Sequence, residues 1–289
     1  GRVIQCKPND KASDSKMRVM AVVNYKGWKI LIPIGLMGLD LSSIEEYGRE
    51  KKESLYKRYI ASMLGTDVKF MVYPKKETDS ISSALRMAIG DRSAAMKKEQ
   101  QDFYLKVNKT SGKSKMERAY EDGIIVKGRV VSTNKSTCFV DVYGKQVQIP
   151  KKEMSWRYVA NVGDVVRNND IVNVKITDLA VNHETGEIDM QASLRAAQEN
   201  VVKNNMKLYS EGTITLGVVT GISNGYWIQV GDTETGIDVY CKKINCMELP
   251  EVGDTVGVTL FKMDYENGMT FGSVENIVRR ANRWGSVAA

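Results

Sequence analysis

Two stretches of this chain repeat the same pattern at nearly the same spacing. Asn161–Val166 is similar to Glu251–Val256, 90 positions later, and Gly128–Val131 is similar to Gly217–Thr220 at an offset of 89. Segments that share both their internal order and their spacing predict two copies of one domain.

Each copy has the pattern of short strands. In the copy that contains Gly128, Val140 and Val142 alternate with Phe139 and Asp141. The two valines therefore face one side of a strand, and Phe139 and Asp141 face the other. Five short antiparallel strands within about 70 residues, separated by Gly-rich turns, predict a small Greek-key barrel. Closure into a barrel removes most sheet edges, so we expect each copy to fold as a separate unit.

A fainter copy of the same domain precedes these two. The three copies are numbered first to third along the chain below. Ile32–Met37 is similar to Ile149–Met154, and Leu64–Val68 is similar to the Val-Gly-Asp element. The two motifs lie farther apart here than in the other copies, and a polar, helix-favouring insert from about Leu41 to Met63 accounts for the difference.

The pattern therefore predicts a mainly β chain of tandem five-stranded barrels joined by helical linkers. The predicted boundaries are 17–90 for a degenerate barrel with a helical insert, 91–121 for a helical and basic linker, 122–192 for the second barrel, 193–208 for a second helical linker and 209–280 for the third barrel. Both linkers are polar, which predicts barrels that have limited contact with one another.

The net charge of +7 is unevenly distributed. Residues 1–121 contain 24 Lys and Arg against 15 Asp and Glu, a net charge of +9. The basic residues are densest at Lys106, Lys109, Lys113, Lys115 and Arg118. Such a segment attracts polyanions such as nucleic acid. The alternative is a solvated, flexible linker that happens to be rich in lysine.

The sequence lacks the residue combinations that a histidine-dependent catalytic site or a zinc site requires. His183 is the only histidine, and no base–nucleophile spacing surrounds it. Cys241 and Cys246 have no further Cys or His nearby to complete a zinc site. We therefore expect no enzymatic activity, no cofactor and no bound metal. No apolar run reaches the length of a membrane span, and sparse cysteines favour a reducing, cytoplasmic compartment.

The order of motifs in the second and third copies resembles a known family. The motifs are Gly128-x-Val130, Cys138–Val142, Ile149–Trp156, Val162–Val165 and Val174–Ile176, with counterparts at Gly217-x-Val219, Gly225–Ile228 and Val252–Asp254. This pattern is similar to the S-one (S1) RNA-binding domain, an OB-fold repeat named for ribosomal protein S-one. The resemblance implies tandem OB-fold barrels and an RNA-binding face on their middle strands.

The resemblance also implies which residues bind RNA, by base stacking on aromatic rings and phosphate contacts from lysine and arginine. In the second copy, Phe139 occupies the family's aromatic position. We expect Trp156 and Tyr158 within reach of the same face, with the capping of the barrel end as the alternative role. The complete candidate set is Phe139, Lys175, Trp156, Arg157, Tyr158, Lys151, Arg129, Trp227, Trp28, Lys29, Lys113 and Lys115.

The sequence departs from the family at several positions. Pro150 replaces a His or aromatic residue, and Ser136 and Lys135 stand where a second aromatic is common. In the third copy Trp227 takes the aromatic position, but Asn224 and Thr259 occupy the other sites, so this copy is expected to bind RNA weakly or to bind protein.

The leading hypothesis is a protein that binds single-stranded RNA in translation or RNA metabolism, with a ribosome or another ribonucleoprotein as a further partner and no membrane association. One alternative is an adaptor that docks on a ribosome, polymerase or nuclease. A second alternative is a protein whose ligand is single-stranded DNA.

Overall fold

The computed structural model describes residues 1–9, 12–39, 44–72, 86–232 and 235–281. These residues form three five-stranded sheets. The strands are β1 Arg2–Pro8, β2 Val19–Tyr25, β3 Trp28–Pro33, β4 Met71–Val72, β5 Met87–Asp91, β6 Val126–Thr133, β7 Thr137–Val142, β8 Lys145–Pro150, β9 Ile171–Val181, β10 Ile188–Ser193, β11 Ile214–Ile222, β12 Tyr226–Val230, β13 Ile237–Ile244, β14 Thr255–Asp264 and β15 Met269–Arg279.

Helices connect or flank these sheets. The α-helices are α1 Ser15–Arg18, α2 Arg49–Ser62, α3 Arg92–Gln100, α4 Lys115–Glu121 and α5 Val201–Met206. A single π-helical turn, Gln101–Leu105, continues α3. Short 3₁₀ turns lie at Ile34–Leu36, Lys151–Glu153, Val162–Asp164 and Arg195–Ala197.

All three sheets have the strand order of an OB fold, which confirms the predicted fold class. The C-terminal barrel closes in the order β11-β12-β13-β15-β14, and β14 pairs back onto β11. Its β13 and β15 run parallel, whereas the sequence predicts antiparallel strands throughout. The N-terminal sheet has the equivalent order β1-β2-β3-β5-β4, and the middle sheet has the order β10-β9-β6-β7-β8.

The repeated glycines lie where the sheet interior has no room for a side chain. A Cβ at Gly128 would lie 2.4 Å from Val140 Cγ1, and one at Gly217 would lie 2.6 Å from Ile228 Cγ2. Both contacts are shorter than van der Waals separation, so a larger residue would displace core side chains. The Gly-x-Val motif thus repeats because the same strand crosses the same crowded interior in each copy.

The N-terminal and middle sheets belong to one compact unit, which comprises residues 1–150 and 162–197. A bulge in β6 turns Val131 into the core of the N-terminal sheet. Its carbonyl accepts a hydrogen bond of 2.9 Å from Thr66 Oγ1, which is buried. The limited contact expected between these two copies is therefore wrong, because the β6 bulge supplies core residues to both.

Helix α3 and its π turn are part of the same packing. Arg92 is 1% exposed, and its guanidinium donates to the Met37 carbonyl at 2.5 Å and to Asp141 Oδ2 at 3.4 Å. Tyr104 is fully buried and donates to the Val142 carbonyl at 2.7 Å. The segment predicted as a basic linker therefore contains buried polar anchors that fix it to both neighbouring sheets.

The second unit comprises residues 151–161 and 198–281. Its core lies inside the C-terminal barrel, where Ile228, Val239 and Val258 are fully buried. Val202 and Met206 from α5 pack against the same core. This helix lies within the predicted 193–208 linker, but it contributes to the barrel rather than only connecting it.

Two boundaries differ from the prediction. β1 begins at Arg2 and pairs with β2, so the N-terminal sheet starts before residue 17. The helical insert is observed as α2, whose Tyr56 and Ile60 are buried against that sheet, and residues 41–43 of the predicted insert lie outside the described residues.

We predict that Gly128→Ala destabilises the middle sheet by about 1–3 kcal/mol, because the new methyl group must displace Val140. Gly163→Ala is the matched control, since a Cβ there meets nothing within 4 Å. Hydrogen exchange of the β6–β10 amides measures the local stability. Equal protection in the two variants would contradict this account of the interior.

Asp254 gives the C-terminal barrel a specific dependence on pH. Burial opposes ionisation of its carboxylate, but hydrogen bonds from the Ala281 and Glu251 amides and from Arg280 lower the pKa of Asp254 to about 2. A folded-state pKa below the unfolded value of about 3.9 stabilises the fold above that value. This contribution is lost as the pH falls from about 4 towards 2.

We therefore predict that Asp254→Asn destabilises the C-terminal barrel at pH 7 and flattens its loss of stability below pH 4. The repeat supplies the control, because Asp164 occupies the equivalent position but is exposed. Hydrogen exchange across this pH range tests the prediction, on the β11–β15 amides for Asp254→Asn and on the β6–β10 amides for Asp164→Asn. An Asp164→Asn variant that behaves in the same way would argue against it.

Candidate nucleic-acid interface

Phe139 lies on the outer face of the middle sheet. Its neighbours Cys138 and Val140 are fully buried, whereas Phe139 is half-buried. In the register of the sheet it is opposite Ser132 on β6 and the exposed Gln148 on β8. The ring is therefore outside the core and next to a polar, open part of the surface.

Lys175 is also half-buried on the outer side of its strand, but it lies far from Phe139. Lys175 follows Val174, which pairs with Val126 at the start of β6, whereas Phe139 pairs with Ser132. Val126 and Ser132 are six positions apart, or about 20 Å of strand. In the register of the sheet, the two candidates therefore lie near opposite ends of β6.

Arg129 belongs to a polar network within the first unit. Its guanidinium donates to Asn169 Oδ1 at 2.8 Å and lies 3.9 Å from Asp67. Asn169 Oδ1 also accepts a hydrogen bond of 2.7 Å from the Asp67 amide. Arg2 Nε lies 3.5 Å from the Asp67 carboxylate. Arg129 thus has protein partners that fix the N-terminal sheet against the middle one.

Trp28 and Lys29 lie at the tip of the β2–β3 hairpin. Lys26 and Gly27 form its two-residue turn with φ of 50° and 83°, as a type I′ turn requires. Tyr25 and Trp28 face each other across the hairpin and are 44% and 37% exposed. The tip therefore presents two accessible aromatic rings beside two lysines.

The C-terminal barrel has a row of aromatic rings in register across three strands. Trp227 on β12 pairs with Tyr240 on β13, which pairs with Phe271 on β15. The ring centroids of Trp227 and Tyr240 are 5.1 Å apart, and those of Tyr240 and Phe271 are 6.4 Å apart. The exposed Lys262 on β14 is opposite Phe271 and places a cation at the end of the row.

Tyr158 extends this row from the segment 151–161. Its ring stacks on Trp227 with 4.6 Å between centroids and 13° between planes. It fits closely because Gly221 leaves space, and a Cβ there would lie 2.4 Å from the Tyr158 ring. Lys151 Nζ lies 5.6 Å from the centre of the same ring. The four-ring row of Tyr158, Trp227, Tyr240 and Phe271 is called the aromatic row below.

Backbone contacts hold the segment in place. The Tyr158 amide donates to Asp238 Oδ2 at 2.6 Å, and Arg157 donates to the Gly236 carbonyl at 2.8 Å. Burial raises the pKa of the Asp238 carboxyl, while the Tyr158 amide and Arg157 act in the opposite direction. Trp156 Nε1 donates to the Gln198 carbonyl at 3.2 Å, and its ring packs against the barrel core.

The structure therefore places Trp156, Arg157 and Tyr158 on the C-terminal barrel. The sequence predicts them within reach of the Phe139 face, with capping of the end of the middle barrel as the alternative role of Trp156 and Tyr158. The reason is that the partners of these residues are distant in sequence. Tyr158 contacts Trp227 and Asp238, 69 and 80 positions away, and Arg157 donates to the Gly236 carbonyl, 79 positions away. Local sequence could not reveal this pairing.

Tyr240 and Phe271 are absent from the predicted set. Strand alternation supplies a signal for Tyr240, because it lies between the buried Val239 and Cys241. Phe271 becomes visible only once the parallel β13–β15 register is known.

Lys113 and Lys115 lie in the segment 91–121 of the first unit, which is called the connector below. Lys113 forms an ion pair with Glu121, and Lys115 Nζ is 4.8 Å from the centre of the Phe103 ring. Together with Lys106 and Arg118 they line a cavity that is separate from the strand faces.

No group of three or more His, Cys, Asp or Glu side chains could hold a metal ion within residues 1–9, 12–39, 44–72, 86–232 and 235–281. His183 Nε2 lies 3.1 Å from Glu117 Oε1. Across those same ranges, no helix combines the length and the apolar composition that a membrane crossing requires.

Residues 119–191 match the family model described as "S1 RNA binding domain", which coincides with the middle sheet. Relatives named small ribosomal subunit protein bS1 include those of Mycolicibacterium smegmatis, 26% identical over 56% of this chain and 34% of theirs, and Mycobacterium tuberculosis, 28% identical over 50% of this chain and 31% of theirs. The chain spans about a third of the length of these relatives.

A protein of another kind also aligns. The 4-hydroxy-3-methylbut-2-enyl diphosphate reductase of Clostridium acetobutylicum is 24% identical over 82% of this chain and 32% of its own length.

Among solved structures, a multidomain protein with nucleic acid binding domains from Streptococcus pneumoniae is 10% identical with a TM-score of 0.19, and covers 96% of this chain and 72% of that one. An a/eIF2alpha-aDim2p-rRNA complex from Pyrococcus horikoshii gives 20% identity and a TM-score of 0.22 over 30% of this chain and 58% of that one. TM-scores this low add nothing to the fold, which rests on the strand order.

We predict that Tyr158→Ala increases the solvent access of Trp227, because it removes the ring that covers one face of the indole. Acrylamide quenching measures this in a chain whose other three tryptophans are replaced by phenylalanine. Tyr143→Ala is the control, since it removes a tyrosine that stacks on Phe103 in the first unit. Unchanged quenching in Tyr158→Ala would refute the stacking.

Proposed function

Because residues 119–191 carry an S1 RNA binding domain, we propose that this chain binds single-stranded RNA on the outer faces of its OB-fold sheets. The observation that carries the proposal is the aromatic row on the C-terminal barrel, with Phe139 as a separate outward ring on the middle sheet. Bases would stack on these rings, and lysine and arginine would hold the phosphates.

The physical argument favours a single strand. Bases in a duplex are paired and stacked on one another, so their faces are closed to protein rings, whereas unpaired bases can be splayed out. Each base stacked on an aromatic ring contributes about 1–3 kcal/mol and requires no particular sequence. The ring planes change direction along the aromatic row, by 13°, 49° and 85° between successive rings, and no base fits between rings only 4.6 to 6.4 Å apart. Bases would therefore stack on the solvent-facing sides of individual rings.

Tyr158 restricts how the aromatic row is used. It covers one face of Trp227, so a base at that end stacks on Tyr158 itself, beside Lys151. At the other end, Lys262 lies next to Phe271. We infer that an RNA strand crosses the C-terminal barrel along the line from Lys151 to Lys262, with bases on the rings and phosphates near these two lysines.

By similarity to the bS1 proteins, the cellular setting that we propose is translation or RNA metabolism in the cytoplasm, with a ribosome or another ribonucleoprotein as partner. Linked weak sites would act together, because tethering raises the effective concentration of each site for one strand. We propose a binding role without catalysis.

A protein-docking adaptor is the second candidate. It is favoured by the outer face of β11, where Ile214, Leu216 and Val218 are 71%, 56% and 41% exposed. A stripe of accessible apolar side chains on a closed barrel is typical of protein interaction surfaces. Binding of RNA by the wild-type chain distinguishes the two functions.

We predict that the wild-type chain binds an unstructured RNA oligonucleotide with an affinity that falls as salt rises. Trp227→Ala and Phe139→Ala should each weaken binding by roughly 5- to 150-fold, the equivalent of one stacked base. Tyr47→Ala is the control, since this ring is 41% exposed and belongs to the segment before α2 rather than to a strand. Fluorescence anisotropy measures the affinities.

No binding by the wild-type chain at low salt would exclude the proposal. A deoxyribose strand of the same sequence separates RNA from single-stranded DNA as the ligand. Tighter binding of the deoxyribose strand would favour DNA.

A further inference from the structure

A cavity of about 240 Å³ lies in the connector of the first unit, between the π turn and α4. Its lining includes four basic side chains and one acidic side chain: Lys106, Lys113, Lys115, Arg118 and Asp102. The lining therefore carries a formal charge of +3. A concave surface with a net positive charge focuses the electrostatic field and attracts anions.

One wall of this cavity is fixed by the π turn. The Lys106 amide donates to the Gln101 carbonyl at 2.8 Å, five positions earlier in the chain. Within the turn, Tyr104 is buried and donates to the Val142 carbonyl, which ties the wall to the middle sheet. Isolated π turns frequently occur at functional sites.

Backbone hydrogen bonds fix the loop 108–113, which forms the other side of the cavity. The Asn108 amide donates to the Lys113 carbonyl at 3.0 Å, and the Gly112 amide donates to the Asn108 carbonyl at 2.9 Å. Gly112 adopts a φ of +66°, which a side chain would disfavour. Ser114 and Glu117 then form a capping box that starts α4. The loop that carries the lysines is thus held by its own backbone.

Phe103 follows the lining residue Asp102 in the chain but is not part of the cavity lining. One face of its ring stacks on Tyr143, with 4.0 Å between centroids and 16° between planes, and Lys115 Nζ lies 4.8 Å from its centre. The cavity lining that the structure describes contains no aromatic side chain, so the cavity itself offers no platform for a base. Charge, rather than stacking, is what this cavity can recognise.

We propose that this cavity binds a backbone phosphate of the RNA strand, as a contact separate from the strand faces. This inference rests on the proposed function and adds a specific electrostatic site to it. Arg118 supplies a planar set of donors suited to phosphate oxygens, and Lys106 and Lys113 supply point charges. Lys113 would exchange its Glu121 partner for the phosphate.

The same loop contains a control residue. Lys109 is exposed and carries the same charge, but it does not line the cavity. If the segment attracts RNA only through its overall charge, Lys109 is equivalent to Lys106. If the cavity is a discrete site, the two differ.

The experiment measures the affinity for an unstructured RNA oligonucleotide at several salt concentrations. For a single strand, the logarithm of affinity falls with the logarithm of salt by about 0.7 for each phosphate contact. We expect Lys106→Ala to reduce this slope by about 0.7 and to lower the affinity at low salt. Lys109→Ala should leave the slope unchanged, and circular dichroism verifies the fold of each variant.

Trp227→Ala serves as the reverse control, since it should lower the affinity and preserve the slope. If Lys106→Ala retains the wild-type slope, or if Lys109→Ala lowers the slope equally, the phosphate site is refuted while RNA binding stands. If the wild-type chain binds no RNA at any salt concentration, the proposed function fails, and the phosphate site fails with it.

Discussion

The narrow interior of a five-stranded barrel governs the arrangement of this protein. At Gly128 and Gly217 there is no room even for a methyl group, because the opposing Val140 and Ile228 fill the space. Only one side of each strand can contribute to such a core, so the other side must face outward. Phe139 and Trp227 are outward rings for this reason, and the same constraint that closes the core creates the surfaces on which bases could stack.

Charge has two distinct roles in the first unit. Arg92 and Arg129 lie in polar networks within the protein, where Arg92 joins Met37 to Asp141 and Arg129 approaches Asp67. Arg92 is 1% exposed, so removing its partner would leave a buried charge without compensation, and Arg92 therefore stabilises the packing. Arg129 is only half-buried, and its partners hold it within the protein. The lysines and the arginine of the connector cavity instead face solvent around a concave surface, where a polyanion can reach them.

Much of the fold could be predicted from the sequence. The Val-Gly-Asp and Gly-x-Val repeats predict equivalent domains, and the alternation around Phe139 predicts which face of its strand is outside. The site was harder to predict. Tyr158 follows the middle sheet in sequence, yet it stacks on Trp227, 69 positions away. A repeat shows that two domains are alike, but it does not show which one a connecting segment will contact.

The sequence by itself determined the strand pattern, the three related sheets and the concentration of basic charge before residue 122, because periodicity and composition are local properties. Only the tertiary structure decided that Tyr158, Trp227, Tyr240 and Phe271 form one row, and that Lys106 lines a cavity while Lys109 does not. The physical reason is that strand register and loop closure depend on hydrogen bonds between residues distant in sequence, and these contacts set which side chains become neighbours.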